Sequence, residues 1–441
     1  MKISNFEHTG LNKVEKWIQE KNIQTLNKEI IIEILKTINI SFSLEEINRI
    51  QSTLLCELKD SYVQQSQRYV TMSEDFYTLP SLDTIDSKKA KYLFDNLFEI
   101  YREMSELNEG EFKGRPKLEN YKHKIPIEDA RYILPLATKT NVYCAMTADK
   151  LFDLYNLIMD KRYRYIFSDI KSEIDKYIPA TLKNILLNLP TSNVQRDNLV
   201  QDFYQDYLDN ITSEQPVVLL ETFDDLDMKV GLGALTSTQS RTPSDTLKIW
   251  KDEAVNKAKG VAKRVLSYGH DSIAEQARTT FGMLCSMVTY HQQIRHRLSN
   301  NYREPLITLI NEKDRTPIIP PTIKNSEFYD KYLQLINEIK NFRIFILEKY
   351  GLDKALYFLL NADAIKIIIS TNARMDISML SERICLNSQW EIRELSTKKL
   401  IILRKLSEIL YEKALPSCIF GACKEGKLSC GKQAEIRRKL S

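Results

Sequence analysis

The sequence predicts an α/β (α+β) fold of two related lobes, each a small sheet with long helices. Three observations predict it. Segments with helical apolar spacing alternate with short β-branched runs. The order helix, loop, strand, long helix occurs twice along the chain. The second strand of each run ends in a similar tripeptide, Thr147-Ala148-Asp149 and Asn372-Ala373-Arg374, and 372 and 147 differ by 225, about half of 441 residues. That interval points to an old duplication. The lobes are therefore read as 1–190 and 200–441.

Taken in order, residues 11–60 carry helical apolar spacing, as in IIIEILKTI and INRIQSTLLCEL. Residues 70–125 read as turn-rich, with NEGEFKGRPKLEN at their centre. NVYCAMT (141–147) alternates as a strand does, and DKLFDLYNLIMDKRYRYIF reads as an amphipathic helix. LNLPTSNVQRDN (188–199) has the composition of a linker. In the second run, PVVLLETF (216–223) reads as a strand. Ser244 and Asp245 are candidate caps for a helix through Leu266. Residues 272–298 read as a further helix, EPLITLINEKDRTPIIPPTIKN as an irregular loop, IKIIIS (365–370) as a strand, and 373–413 as one or two long helices.

Composition narrows the function. The chain has 63 Lys and Arg against 59 Asp and Glu, a net +4, with 28% charged residues. That balance describes a mixed, solvated surface and disfavours a polybasic nucleic-acid binder. A hydrophobic content of 43% disfavours long-range disorder. Only 12 residues are Gly, which disfavours folds needing several glycine-rich phosphate loops. Lobes of this size need no metal or disulfide staple. The opening MKISNFEHTG lacks the apolar stretch of a signal peptide, and no apolar run reaches membrane-spanning length. Cys56, Cys144, Cys285 and Cys385 are scattered and read as small core hydrophobes, so a reducing cytoplasm is expected.

Chemistry concentrates in a few places. On a helix, Gln292, Arg295 and His296 fall at i, i+3 and i+4 and share a face. Arginines beside an imidazole suit a phosphate or diphosphate; a basic helix end favoured by the dipole is the plainer reading. In SYVQQSQRY (61–69), an extended backbone would point Ser66 and Arg68 to one side, and a hydroxyl beside a guanidinium suits a phosphate monoester. A polar surface strand is again the plainer reading. Arg131 in EDARYILP and Arg383 in LSERICLNSQWEIRE are further candidates, although Glu382, Arg383, Glu391, Arg393 and Glu394 could form a salt-bridged helix face. GLGALT (231–236) has a G-x-G without the third glycine of a dinucleotide site. Cys418, Cys423 and Cys430 lie close in the tail, but C-x4-C-x6-C has no paired CxxC and no nearby His, so no metal site is assigned.

Together these segments resemble the flavin-dependent thymidylate synthases. The C-terminal half has GHDSIAEQ (269–276), QQIRHR (292–297), TNAR (371–374), NSQWEIRE (387–394) and the closing SCIFGACKEGKLSCGK. The N-terminal half has SYVQQSQRYV (61–70) and EDARYILPLATKTNVY (128–143). The halves are degenerate in complementary ways. Where the C-terminal half has Arg295-His296-Arg297, the N-terminal half has Cys56-Glu57-Leu58; where the latter keeps Ser66-Gln67-Arg68, the former has Pro305-Leu306-Ile307.

The resemblance implies a methyltransferase of nucleotide biosynthesis that converts dUMP, or a close analogue, to dTMP. FAD would be the cofactor, with NADPH and methylenetetrahydrofolate as co-substrates. It implies substrate binding by Gln64, Ser66, Arg68, Arg131, Gln292, Arg295 and Arg383, with Ser66 and Arg383 catalytic. It implies FAD binding by Arg295, His296, Arg297, Asn372 and Arg374. Active sites in that family lie between the subunits of a homotetramer. A chain with two lobes is therefore expected to form a homodimer that mimics it, with no nucleic-acid or membrane partner. Gln64 and Gln276 stand where the family has Glu and His. A flavin- and nucleotide-binding protein of the same fold, without turnover, is the alternative.

Overall fold

The computed structural model describes residues 1–21, 28–187 and 196–440. Its chain divides into two compact units. The first comprises Met1–Leu199, Ser286–His291 and Pro305–Ala364; the second comprises Val200–Cys285, Gln292–Glu304 and Ile365–Ser441. Two four-stranded sheets share one strand order. The first sheet contains β1 (Lys2–His8), β2 (Asn39–Asn48), β3 (Ser61–Gln64) and β4 (Lys139–Thr147), in the order β1-β2-β4-β3. The second contains β5 (Val217–Thr222), β6 (Arg278–Ser286), β7 (Asn300–Arg303) and β8 (Ala364–Asn372), in the order β5-β6-β8-β7. The two related lobes are thus each built on a small sheet.

In the first unit, β4 buries Thr140, Val142, Cys144 and Met146 and exposes the residues between them. That alternation is the period-two pattern of a sheet with one face on a core. Phe42 of β2 and Tyr62 of β3 both lie opposite Cys144. Two long helices complete this unit, Thr84–Met104 and Tyr329–Tyr350. Lys331 pairs with Glu103 at one end, and Lys349 pairs with Asp83 and Asp86 at the other, so the helices run antiparallel. Phe94 and Phe342 both pack on Phe358, with centroids 5.0 and 5.3 Å away. Each such buried aromatic contributes roughly 1.5–3 kcal/mol.

The duplication is visible inside this unit. Leu136 N–H donates to the Leu359 carbonyl at 2.6 Å, and Asn361 N–H donates to the Leu134 carbonyl at 2.9 Å. Asn361 lies 225 positions after Leu136, and Leu359 lies 225 after Leu134. Each bond is the other with the two repeats exchanged, a relation of local two-fold symmetry. The one-turn helices Arg131–Ile133 and Leu356–Phe358 occupy matching places in the repeats.

Several expectations are corrected. The helical reading of 11–60 holds for Leu11–Glu20, Lys28–Leu35 and Arg49–Cys56, but Asn39–Asn48 is β2. The reading of 70–125 as turn-rich missed the Thr84–Met104 helix, capped by the Asp83 carboxylate accepting from Asp86 N at 2.9 Å. Residues 272–298 are not one helix. They form a short 3₁₀ stretch, Asp271–Gln276, then β6, then the helix Met287–Gln293. β6 is buried along nearly its whole length, so it lacks the alternation that marks a half-exposed strand. The cap expected at Ser244 or Asp245 is Thr242, with Pro243 at the first helical position. That helix ends at Trp250, and Ala254–Ser267 is a separate one. The loop expected from Glu304 includes the helices Leu306–Asn311 and Pro321–Lys324. Residues 188–195 of the expected linker lie outside the described residues.

GLGALT lies within the helix Leu226–Thr236. A side chain at Gly231 would run into the Ala258 backbone, so this glycine lets two helices approach closely and cradles no phosphate. Among the described residues, no helix is long and apolar enough to cross a membrane.

Candidate active site

In the first unit, β3 ends at Gln64 and the backbone then turns. Tyr69 and Val70 both donate their N–H to the Ser66 carbonyl, at 3.2 and 3.1 Å. The extended path expected for Ser66 and Arg68 is therefore not adopted. Ser66 Oγ instead accepts from Arg68 N at 3.2 Å, and Arg68 Nε donates to Glu128 Oε2 at 2.7 Å. Arg115 Nη2 donates to both Glu128 carboxylate oxygens, at 3.0 and 3.1 Å. Buried Arg131 donates from Nε to the Glu128 carbonyl at 3.1 Å. Burial pushes the Glu128 carboxyl up, but the Arg68 and Arg115 guanidiniums outweigh it and hold the group below the ordinary carboxylate range. The Glu128 carboxylate is therefore an anion shared by Arg68 and Arg115, while the backbone carbonyl of the same residue holds Arg131.

Gln64 belongs to a neighbouring polar cluster. Its Nε2 donates to Ser52 Oγ and to Cys56 Sγ, the latter at 2.8 Å, while its Oε1 lies 3.3 Å from His291 Nδ1. An amide can donate and accept at once, whereas a carboxylate only accepts. Gln64 uses both capacities, donating from Nε2 while its Oε1 faces His291. Beside it, Tyr290 donates to Glu57 Oε1 at 2.8 Å.

In the second unit, the helix carrying Gln292 stops at Gln293, so Arg295, His296 and Arg297 lie in the turn beyond it. The shared helical face expected for Gln292, Arg295 and His296 is not formed. His296 N donates back to the Gln293 carbonyl at 3.0 Å, and Ser299 Oγ donates to the His296 carbonyl at 2.6 Å. Arg295 and Arg297 are exposed and His296 is half-buried. Arg383 Nε donates to His296 Nε2 at 2.8 Å. Burial, then the charges of Arg383, Lys399 and Arg295, press the His296 pKa down to about 3. The imidazole is neutral near pH 7, with its proton on Nδ1.

Arg383 and Arg374 sit at opposite ends of the helix Ala373–Arg383. Nine residues at 3.6 per turn put them on opposite faces. Asn372 caps this helix by accepting from Met375 N at 3.0 Å. Arg374 Nη1 donates to Glu275 Oε1 at 2.5 Å. It also borders an open groove of about 690 Å³, together with Lys263, His270, Ser272 and Lys413. Behind the helix, fully buried Lys399 Nζ donates to Asp376 Oδ1 at 2.7 Å, and Thr371 Oγ1 donates to Asp376 Oδ2 at 2.8 Å. This buried pair fixes the helix that presents both arginines.

The structure thus brings Arg68 and Arg131 together on Glu128, and His296 together with Arg383. Gln64 and Gln292 each lie in or beside buried polar surroundings, and Asn372 spends its side-chain oxygen on a cap. Glu128 and Arg115 were not singled out from the sequence. Glu128 stood three residues before Arg131 in the quoted EDAR, whereas nothing local distinguished Arg115. Cys56, Cys144 and Cys285 are buried, and burial pushes the Cys144 and Cys285 thiols far up, as suits core hydrophobes; Cys385 is only half-buried. Among the described residues, no group of three or more His, Cys, Asp or Glu could hold a metal ion.

The sequence profile of the thymidylate synthase complementing protein family matches residues 4–180 and 218–407. A flavin-dependent thymidylate synthase of Geobacter sulfurreducens is 30% identical over 181 residues, which is 40% of this chain and 77% of that protein. One from Clostridium tetani is 31% identical over 209 residues, 43% of this chain and 83% of that protein. One from Thermococcus onnurineus is 35% identical over 176 residues, 37% of this chain and 72% of that protein. Each relative therefore aligns with less than half of this chain, while the family profile matches in both lobes.

Proposed function

Because this chain belongs to the thymidylate synthase complementing protein family, we propose that it methylates dUMP to dTMP with FAD, taking the one-carbon unit from methylenetetrahydrofolate and electrons from NADPH. The nucleotide residues are assigned to the first unit and the flavin residues to the second. The observation that carries the reading is the gathering of Arg68 and Arg131 on Glu128. These arginines come from the two N-terminal motifs that resemble the family's nucleotide motifs, and together they offer fixed guanidiniums to a phosphate monoester.

The second unit's residues fit a flavin dinucleotide. Its diphosphate calls for several cations at an accessible surface, and Arg374, Lys263 and Lys413 line an open groove with Ser272, alongside Asp271 and Glu412. Arg295, His296, Arg297, Asn372 and Arg374 would hold the cofactor. Reduced flavin, when bound, supplies hydride to the uracil ring. The chain's own contribution is orientation and charge. Arg68 and Arg131 fix the nucleotide phosphate, and Ser66 sits at the turn that aims Arg68. Arg383 holds His296 in one tautomer, so the imidazole keeps a constant charge through the working pH range. Gln64 keeps β3 registered against the helix Arg49–Cys56.

Incubating pure protein with FAD, NADPH, methylenetetrahydrofolate and dUMP tests the reading. Formation of dTMP is expected, and flavin reduction and dUMP binding without methylated product would favour the binder alternative. The two-lobed chain should assemble as a homodimer that mimics a four-lobed tetramer. Light scattering showing a fully active monomer would exclude that assembly.

A further inference from the structure

Outside the family motifs, one basic side chain is tied into the nucleotide half of the site. Arg115 lies on the loop between Leu107 and Tyr121, which a β-bridge closes at its neck, with Asn108 N donating to the Asn120 carbonyl at 2.9 Å. The loop turns through Gly110 and Gly114 at φ +76° and +63°, the left-handed region that favours glycine. Most of its residues are exposed, whereas Arg115 is 21% exposed and spans both oxygens of Glu128. The loop is thus held at its neck by backbone and at its far side by this guanidinium.

The charge arithmetic gives Arg115 a purpose. Arg68, Arg115 and Arg131 carry three formal positive charges and Glu128 carries one negative charge, while the carboxylate of the neighbouring buried Asp129 is engaged elsewhere, accepting from Thr322 Oγ1 at 2.8 Å. The surplus of two matches the roughly two negative charges of a phosphate monoester near neutral pH. Arg68 and Arg131 alone would leave a surplus of one. A plain surface ion pair does not explain the arrangement, because Arg68 already pairs with Glu128 and the second guanidinium must share the same carboxylate.

We propose that Arg115 is a further substrate-binding residue: docked on Glu128 beside Arg68, it completes a dianion site for the nucleotide's phosphate and makes the protein select a nucleoside monophosphate over the nucleoside. This rests on the function proposed above. The loop then does more than connect two elements, because its far side is a wall of the phosphate site.

The test uses the full-length, flavin-loaded protein titrated with dUMP and, separately, with deoxyuridine. Wild type, Arg115→Ala and Arg115→Lys are compared, with thermal melting as the control for folding. Loss of one charge-assisted phosphate contact should weaken dUMP binding about ten- to a hundredfold in Arg115→Ala. Deoxyuridine binding should be unchanged, and Arg115→Lys should recover part of the loss. Lowering the pH through about 6, where the phosphate gains a proton, should weaken dUMP binding more in wild type than in Arg115→Ala. Equal weakening of dUMP and deoxyuridine would show a structural role and overturn the proposal, as would unchanged dUMP affinity. Failure of wild type itself to bind dUMP would overturn the proposed function along with it.

Discussion

Arg383 Nε donates to His296 Nε2 across 2.8 Å, and this bond joins the end of one helix to the turn that carries the basic triplet. A guanidinium is always charged and has no acceptor, so the imidazole facing it must present a bare nitrogen. The bond therefore fixes both the orientation of His296 and its protonation state.

Replacing Arg383 with Leu should raise the His296 pKa. Burial is the largest cause of its depression and would persist, but the second cause, the Arg383 charge, would be gone. The imidazole signals of the folded protein, followed by NMR against pH, check this. A titration that does not move would mean that Arg383 exerts no electrostatic hold on the ring.

The same histidine should make stability fall on the acid side. Its folded pKa is pressed to about 3, against about 6.5 in an unfolded chain. Between those values the unfolded state takes up a proton that the folded state refuses. Stability contributed by the neutral ring is complete above about pH 6.5 and is lost as pH falls, at up to about 1.4 kcal/mol per unit. His296→Gln cannot titrate. Its urea midpoint should therefore depend less steeply on pH than that of wild type between pH 6.5 and 4.

Lys399 and Asp376 are both wholly buried, so removing either partner strands a charge. Lys399→Met should cost about 3–5 kcal/mol, since the remaining carboxylate has no route to solvent. The exposed pair Lys331 and Glu103 provides the contrast, because water screens it and its loss should barely move the midpoint. Chemical denaturation of the two variants compares them. Similar midpoints would mean that the buried pair contributes nothing beyond surface charge.

Local pattern and tertiary arrangement were unequally legible in the sequence. NVYCAMT, PVVLLETF and IKIIIS were read as strands and form β4, β5 and β8, because each is short, β-rich and bounded by polar residues. Residues 39–48 were lost to the helical run of isoleucines that precedes them, although Ile40, Phe42 and Leu44 alternate cleanly. The repeat was legible from one tripeptide, yet its structural signature is the reciprocal pair of bonds at Leu136 and Asn361, which no local pattern encodes. Arg131 and Arg383 stood out because motifs carried them. The Arg68–Glu128 contact spans 60 residues and exists only once the turn after β3 and the short helix Ile127–Ala130 are packed, so Glu128 was invisible as a hub. The basic triplet was legible as residues but not as geometry, since a helix ending at Gln293 cannot be told from one that runs three residues further.

The division of labour between the units is open to a direct test. Arg68 pairs with Glu128 in the first unit, and Arg297 lies on the turn beyond Gln293 in the second. If the first group serves the nucleotide and the second serves flavin, Arg68→Ala should weaken dUMP binding and leave flavin content unchanged. Losing one charge-assisted phosphate contact costs on the order of 1.5–3 kcal/mol, or roughly ten- to a hundredfold in affinity. Part of that cost arises because the Glu128 carboxylate keeps Arg115 but loses its shortest contact. Arg297→Ala should show the reverse, with flavin lost on gel filtration before dUMP affinity changes. Titrating dUMP into each flavin-loaded variant, with the flavin absorbance recorded throughout, separates the two effects. An Arg68→Ala protein that binds dUMP as wild type does would remove the N-terminal lobe from the nucleotide site. The phosphate would then have to rest on Gln292, Arg295 and Arg383 alone.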